Sequence, residues 1–482
     1  MTSSSLRWAA SASTLALLLA TSAAGCGDPG TSSTGGGGTG GVTGGTGGVT
    51  GGTGGTGGST SSGGTGGAPQ EQDILTTDLA LDLGKLTGKA KIVAWPDAAT
   101  SAVTLEVKGL SLSTVLLEGA PADYQVTDGV ATIQITDKTK PATLDFTYSF
   151  QERPSDTFDG WMADSGVTFL WPYFCSNLFP CDSRPEDGVK FTMSVTGYDA
   201  NLTAVFPTTT TSDAPSYMPA IALGDFTKKD LGTTAAGTAI SAWYFAAQED
   251  DATVGTANLV KVFDFYEKAY GAYSFGPEAG SVSAQWGPGA YGGMEHHPFV
   301  HVGYDDFGNE EVHAHEAAHG WYGDGVRIAC WEDFVLSEGT VTYMAAHGLE
   351  KVGGPNLWQS YTDSLELICT GQDTNTIALP DTCNAIDLLN DPLWSLVPYI
   401  KGACFYEDVA DLLGQDVVDE ALGELYKAHV GGAAHMTDMI DTLKSKATDA
   451  QKATLDTYVT EWLKTEACPA NYAARCSAHQ AP

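Results

Sequence analysis

Positive charge is what this 482-residue chain has least of: 23 lysines and arginines stand against 59 aspartates and glutamates, a formal net charge of −36. Nucleic acids and anionic membrane surfaces are bound through basic patches, so this balance argues against both as partners. It fits a chain kept soluble in a salty or extracellular setting, and it says nothing about fold. The C-x-x-C spacing of a zinc knuckle is also absent, so the cysteines are not read as a metal site. What remains is ordinary, with 42% hydrophobic residues and enough length for two or three domains with proper cores.

Residues 1–26 read as an export signal. Arg7 supplies the charge, an apolar stretch runs from about Trp8 to Ala24, and small residues precede Cys26. The stretch is too short for a comfortable membrane span. Its ending, Ala23-Ala24-Gly25-Cys26, resembles a bacterial lipoprotein signal, which implies a lipid on Cys26 as the first mature residue. Residues 27–68 are almost wholly Gly, Thr and Ser, a tether with nothing to bury and a reach of roughly 35 Å. The expectation is a protein held at the bacterial cell envelope (outer membrane), meeting the membrane only through Cys26, with plain secretion as the alternative. Eight cysteines follow: Cys175, Cys181, Cys330, Cys369, Cys383, Cys404, Cys468 and Cys476. An even number in an exported chain points to structural disulfides, whose pairing the sequence leaves open beyond such natural guesses as Cys175 with Cys181.

From about Pro69 to Thr210 the apolar period is two. Leu79, Leu81 and Leu83, then Val103, Leu105 and Val107, then Ala131, Ile133 and Ile135, then Leu144, Phe146, Tyr148 and Phe150 alternate with polar residues, and Asp128-Gly129 is a turn signal. From about Asp250 the period becomes helical, in stripes such as Leu259, Val262, Phe263 and Tyr266, or Leu455, Tyr458, Val459, Trp462 and Leu463. The fold class is therefore α+β, with an antiparallel β domain over 69–245 and a mostly helical domain over 246–482.

The chemistry is concentrated between Tyr291 and Tyr343. In Val312 to Asp324, V-H-A-H-E-A-A-H-G-W-Y-G-D, a helix would set His315 and His319 at i and i+4 on one face with Glu316 beside them. A catalytic zinc takes three protein ligands and keeps one position open, so one further ligand is needed. Glu338, 19 positions after His319 with 18 residues between them, is the candidate, on what reads as a second helix crossing the first. His313 lies about 200° around the helix from His315 and faces away from the metal. His296, His297 and His301 read as surface or strand histidines, and the acidic run Asp305 to Glu311 as a solvated turn.

These residues together resemble the aminopeptidase N and leukotriene hydrolase family of zinc metallopeptidases (gluzincins), in which H-E-x-x-H-x18-E accompanies an upstream G-x-M-E-N strand. Here that strand reads G-G-M-E-H, Gly292 to His296. Gly320 to Asp324 stands where the family has Trp-Phe-Gly-Asn, Leu336 to Gly339 for Leu-Asn-Glu-Gly, and Val397 to Ala403 for Tyr-Glu-Lys-Gly. Phe179 to Phe191 and Tyr217 to Phe226 extend the likeness into the β domain. The resemblance implies a thermolysin-like catalytic domain, one zinc ion on His315, His319 and Glu338, and Glu316 as general base. It implies Tyr399 as the hydroxyl donor to the oxyanion. It implies Glu295 as the anchor of the substrate α-ammonium, with Gly292, Gly293 and Met294 lining an extended peptide. The expected reaction is removal of amino-terminal residues from peptides, in a compact version without the large carboxy-terminal helical domain.

The chain departs from the pattern at four places. His296 replaces Asn, Ile400 replaces the Glu after the tyrosine, and Asp324 replaces Asn. Trp171 falls where many members carry a second amine-binding Gln or Glu. Two alternatives therefore stand beside the aminopeptidase reading: a zinc endopeptidase or relaxed-specificity peptidase, and a catalytically silent cell-surface binding protein on the same fold.

Overall fold

The computed structural model describes residues 71–286, 292–371, 376–384 and 386–477. The expected signal, the lipidation site Cys26 and the linker lie outside the described residues. The β-rich half opens with a six-stranded sheet in the order Lys190–Thr196, Asp73–Asp82, Thr87–Trp95, Ala142–Ser149, Ser111–Leu117, Ala120–Pro121. Its neighbours are antiparallel except the first two, which run parallel, with Leu79 opposite Met193. The period-two residues named above are all buried. A bulge between Ile74 and Thr76 shifts the register. It explains why Ile74 is buried on one parity and Thr77, Leu79 and Leu81 on the other. Asp128 and Gly129 both take positive φ, 50° and 77°, and close the hairpin of Tyr124–Thr127 and Val130–Gln134.

The second half is built on a five-stranded sheet in the order Thr227–Thr233, Ala239–Tyr244, Glu278–Ala284, Phe299–Gly303, Gly293–Met294. The three central strands are parallel and the two outer pairs antiparallel. Two of these strands precede residue 246 and three follow it, so a division at 245/246 falls between hydrogen-bonded neighbours of one sheet. Glu278–Ala284 sits at the sheet centre, whereas Gly293–Met294 is the outermost strand, with Phe299–Gly303 between them.

Helices pack behind this sheet. Leu259–Ala269 buries Leu259, Val262, Phe263 and Tyr266, and Gln415–His429 buries Val418, Leu422 and Leu425. Asp449–Tyr458 passes into a wider turn at Val459–Leu463 and buries Leu455, Val459, Trp462 and Leu463. Four disulfides join Cys175–Cys181, Cys330–Cys383, Cys369–Cys468 and Cys404–Cys476. The last three close loops of 53, 99 and 72 residues within the helical half. In the chain-entropy account such loops contribute about 4 kcal/mol each by restricting the unfolded chain. Among the described residues no helix is long and apolar enough to cross a membrane.

Candidate active site

The acidic run that reads as a turn is also the start of the metal-site helix, Glu310–Ala318. Asn309 caps it, its Oδ1 accepting from the Glu311 backbone N–H at 3.1 Å. Glu310 and Glu311 occupy the first turn, where negative charge complements the helix dipole. His319 follows with helical φ and ψ of −59° and −22°. The i, i+4 relation to His315 therefore holds although the hydrogen-bonded helix stops one residue earlier. Beyond it the chain folds back, and the backbone N–H groups of Asp324 and Gly325 both donate to the His319 carbonyl at 3.2 Å. Gly323 makes this reversal possible. Its φ is +104°, and a Cβ there would lie 2.5 Å from His319 Nδ1.

Glu338 arrives on a wide helical turn, Val335–Gly339, of the π type that inserts a residue into a helix. One of its oxygens, Oε2, lies 3.2 Å from His315 Nε2 and 3.5 Å from His319 Nε2. The donor atoms of the three residues all fall within 4.8 Å of one another. The Tyr322 carbonyl accepts from His319 Nδ1 at 3.0 Å. Because a carbonyl can only accept, Nδ1 carries a proton, and Nε2 is the nitrogen left facing Glu338. His313 turns away as expected. Its ring nitrogens meet Ser281 Oγ at 2.8 Å and the Phe307 carbonyl at 2.9 Å, a satisfied core histidine.

Tyr399 belongs to the helix Leu396–Leu413. Its ring stacks on that of His315 at 6.1 Å between centroids and meets Phe334 edge-on at 5.8 Å. Two glycines set this position. A Cβ on Gly402 would lie 2.6 Å from Gly339 Cα, and one on Gly339 would lie 2.7 Å from the Pro398 carbonyl. The helix carrying Tyr399 and the turn carrying Glu338 thus touch backbone to backbone.

Glu316 and Glu295 both point into the same buried space. One donor atom from each, with one from His319, form a second group within 4.8 Å. A Cβ on Gly293 would lie 2.4 Å from Glu316 Oε1. The missing side chain there therefore makes room for Glu316, and not only for a ligand. Gly292 accepts from Gly303 N–H at 2.8 Å, and Met294 pairs with His301 at the sheet edge.

Electrostatics show what this space lacks. Burial pushes the Glu316 carboxyl well up, with His319 opposing and Glu295 reinforcing. It also raises Glu295 and Asp324. Against burial, the imidazoles of His319 and His315 hold Glu338 down to about 2, while Glu338 and Glu295 push His319 up to about 10. Four buried carboxyl groups thus surround two imidazoles. Such a surplus of acceptors and negative charge is satisfied by a divalent cation, and two imidazoles with a carboxylate are donors that suit zinc. The residues fit the metal. A second convergence of donors, Cys330, Asp333, Cys383 and His435, has its sulfurs bonded to each other.

Other expectations change. His301 is on a strand, but His296 and His297 are fully buried, not surface histidines. His297 Nδ1 meets Tyr273 Oη at 2.8 Å, and the His296 ring lies 4.6 Å from that of His301. Trp171 is buried among Trp331, Phe334 and Trp394, so that position offers no carboxylate or amide oxygen. Sequence reasoning passed over Tyr217, whose hydroxyl donates to Asp324 Oδ1 at 3.0 Å. Within the apolar run around it, nothing in the pattern separates it from a packing tyrosine.

The sheet-edge strand, the two-histidine helix and the following glutamate helix define the chain as a metallopeptidase-type fold with a three-ligand zinc site. Residues 303–462 match the peptidase family M1 domain. Leucine aminopeptidase 2 of Aspergillus niger is 24% identical over 425 residues, covering 77% of this chain and 65% of that protein. Leucine aminopeptidase 2 of Ajellomyces capsulatus is 35% identical over 145 residues, 27% of this chain and 22% of that one. The chain spans about half to two thirds of the length of the first curated relatives it matches. Among solved structures, the M1 zinc metallopeptidase of Deinococcus radiodurans superposes with a TM-score of 0.70 at 18% identity, covering 84% of this chain and 96% of that one. Yeast LTA4 hydrolase with bestatin gives 0.68 at 19%, covering 83% and 68%.

Proposed function

We propose that this protein is a zinc aminopeptidase, releasing amino-terminal residues from peptides. The observation that carries the reading is the placement of Glu295. In a peptide the α-nitrogen lies about 2.5 Å from the carbonyl carbon of its own residue, given the N–Cα and Cα–C bonds and the angle between them. A carboxylate that holds the α-ammonium must therefore stand beside the metal and the base if the first peptide bond is to be cut. The Glu295 carboxylate does so, within 4.8 Å of donor atoms of Glu316 and His319. An anchor this close leaves space for only one residue.

His315, His319 and Glu338 would hold one zinc ion, which supplies Lewis acidity to the scissile carbonyl and the attacking water. Glu316, whose carboxyl burial pushes well above the usual carboxylate range, takes the water's proton and delivers it to the departing amine as the C–N bond breaks. The Tyr399 hydroxyl, on a ring stacked against His315, donates to the oxygen on which negative charge develops. Gly293 and Met294, on the outermost strand, present backbone groups along which an extended peptide can lie, and Gly292 leads into that strand. The names of the curated relatives support this reading. So does the Deinococcus structure solved with a Tyr-Ser-Ala substrate. We also place the protein at the cell envelope through a lipid on Cys26, on the strength of the sequence signal and tether.

The test compares aminoacyl 4-nitroanilides with their N-acetylated counterparts, using wild type, Glu316→Gln and Glu295→Ala. Cleavage is expected only of the free-amine forms. Chelation and Glu316→Gln should lower kcat by a factor of 100 or more, on the order of the effect of removing a general base. Equal cleavage of the acetylated forms would replace the reading with an endopeptidase. Turnover of neither by a zinc-loaded protein would leave a binding protein.

A further inference from the structure

Cysteine spacing along the chain shows no metal site, yet the fold gathers two cysteines, an aspartate and a histidine at one place outside the catalytic centre. One donor atom each from Cys330, Asp333, Cys383 and His435 lies within 4.8 Å of the other three. Asp333 stands at the middle, its Oδ2 2.7 Å from His435 Nδ1 and 3.4 Å from Cys330 Sγ. Zinc bonds of about 2.0–2.3 Å in a tetrahedron set neighbouring ligand atoms roughly 3.3–3.8 Å apart. The cluster is close to that size, and two thiolates, an imidazole and a carboxylate are donors that suit zinc. In the bridged form, Cys330–Cys383, the Cys330 sulfur has no proton to hold against the carboxylate.

The cluster is assembled by contacts other than the bridge. Arg327–Ile328 pairs with Ala433–Ala434, and the Ala329 N–H donates to the Ala434 carbonyl at 3.0 Å, which brings Cys330 alongside His435. Asp333 Oδ1 accepts from the Met436 backbone N–H at 2.9 Å and leaves Oδ2 turned to the cluster. Glu332 Oε1 accepts from the Asn384 backbone N–H at 2.6 Å and holds the irregular segment that carries Cys383. Cys383 is exposed, whereas the cysteines of the other three bridges are buried or half-buried, so this bridge is the most open to a reductant. A dithiol reduces it by exchange: two electrons and two protons pass to the sulfurs, and the dithiol closes to its own disulfide. A zinc ion then displaces both thiol protons. We propose that Cys330, Cys383, Asp333 and His435, once the bridge is reduced, form a closed four-ligand site for a second zinc ion, so that bridge and cation are alternative clasps on the same three segments. The clasp sits on the turn Trp331–Asp333, which runs through Phe334 into the turn that delivers Glu338. This inference goes beyond the aminopeptidase reading and does not rest on it.

The experiment reduces the full chain with a phosphine, which leaves as its oxide with oxygen taken from water, and then counts thiols and adds cobalt(II) as a spectroscopic stand-in for zinc. Wild type is compared with His435→Ala, which keeps both cysteines, and with the double variant Cys330→Ser, Cys383→Ser. His315, His319 and Glu338 offer cobalt no sulfur, so a thiolate-to-cobalt charge-transfer band reports the second site alone. Reduced wild type is expected to gain two thiols and the band, and the oxidised protein neither. Zinc added in place of cobalt should raise the metal content by about one ion per chain and raise the melting temperature of the reduced protein. His435→Ala should weaken cobalt binding about 100-fold or more, since loss of even an outer partner of a metal ligand costs 10–100-fold. No band from a reduced wild type that carries the two thiols would overturn the proposal. An equal band in the double cysteine variant would do so too, by placing the sulfur ligands elsewhere. Undiminished binding in His435→Ala would sink the four-ligand assignment, and a bridge that yields no thiols to the phosphine would sink the exchange of clasps.

Discussion

Gly402 offers the sharpest test of how the site is held. It lies three residues after Tyr399, and a Cβ there would meet Gly339 Cα at 2.6 Å and Val335 Cγ2 at 2.8 Å. The valine methyl can rotate, but the backbone of Gly339 cannot. In Gly402→Ala the two segments must separate by about 0.8 Å, to move from 2.6 Å to the 3.4 Å at which ordinary contact begins. Overpacking of this kind costs about 1–3 kcal/mol, and on a domain of this size that lowers the melting temperature by only a few degrees. Activity should suffer far more. The displaced elements carry Tyr399 and Glu338, and a misplacement approaching 1 Å costs on the order of 100-fold in rate. The assay is kcat on a free-amine substrate, with zinc content and melting temperature on the same preparation. Zinc is expected to remain near one per chain, because His315 and His319 stand on a different helix. A Gly402→Ala protein with wild-type kcat would refute the claim that this backbone contact positions Tyr399. Lost zinc would show that the strain is relieved at Glu338 instead.

Lys401, beside Ile400 in the same helix, gives a prediction in pH. Its ammonium is fully buried and donates to the carbonyls of Thr465 at 2.5 Å and of Glu466 and Ala467 at 3.4 Å. Burial pulls its pKa down to about 8 from 10.5, with Glu466 opposing. A folded pKa below the unfolded one means that carrying the charge costs stability below pH 8, and that this cost is relieved as pH rises toward 10.5. Wild type should therefore gain about 2 kcal/mol relative to Lys401→Met between pH 8 and pH 10 in urea denaturation, and parallel profiles would exclude Lys401 as the titrating group. For the envelope anchor, Cys26→Ser expressed in a bacterial host should move the protein from the detergent phase to the soluble fraction and abolish incorporation of labelled palmitate. Continued labelling would place the lipid elsewhere.

The zinc site was legible because its geometry is local. Residues four apart on one helix share a face whatever surrounds them, so His315, His319 and Glu316 could be placed from spacing alone. The buried strands were legible for the same reason, since a period of two survives any packing. Contacts made across the fold were not. The turn at Val335–Gly339 that delivers Glu338 has no composition of its own, and the backbone contact of Gly339 with Gly402 joins positions far apart in the chain. Gly293 was expected to clear a path for substrate, yet the atom it accommodates is Glu316 Oε1, a neighbour only in space. The pairing of Ala239–Tyr244 with Glu278–Ala284 is of the same long-range kind, made around two intervening helices.

Two of the departures from the family pattern make long-range contacts of this kind. Trp171 packs on Phe334 and Trp394, and Phe334 in turn meets the Tyr399 ring. An aromatic residue at 171 therefore supports the Tyr399 ring through Phe334. The β-rich half still reaches the site through Tyr217, and its partner is Asp324, itself a departure. If an amide stood at 324, the phenol would have a donor beside it and no fixed orientation. If a polar residue stood at 171, the aromatic support of Phe334 would be lost. Restoring Gln at 171 alone should weaken kcat through Tyr399 without improving KM for a free-amine substrate, whereas a lowered KM would show that the older anchor position still faces the amine.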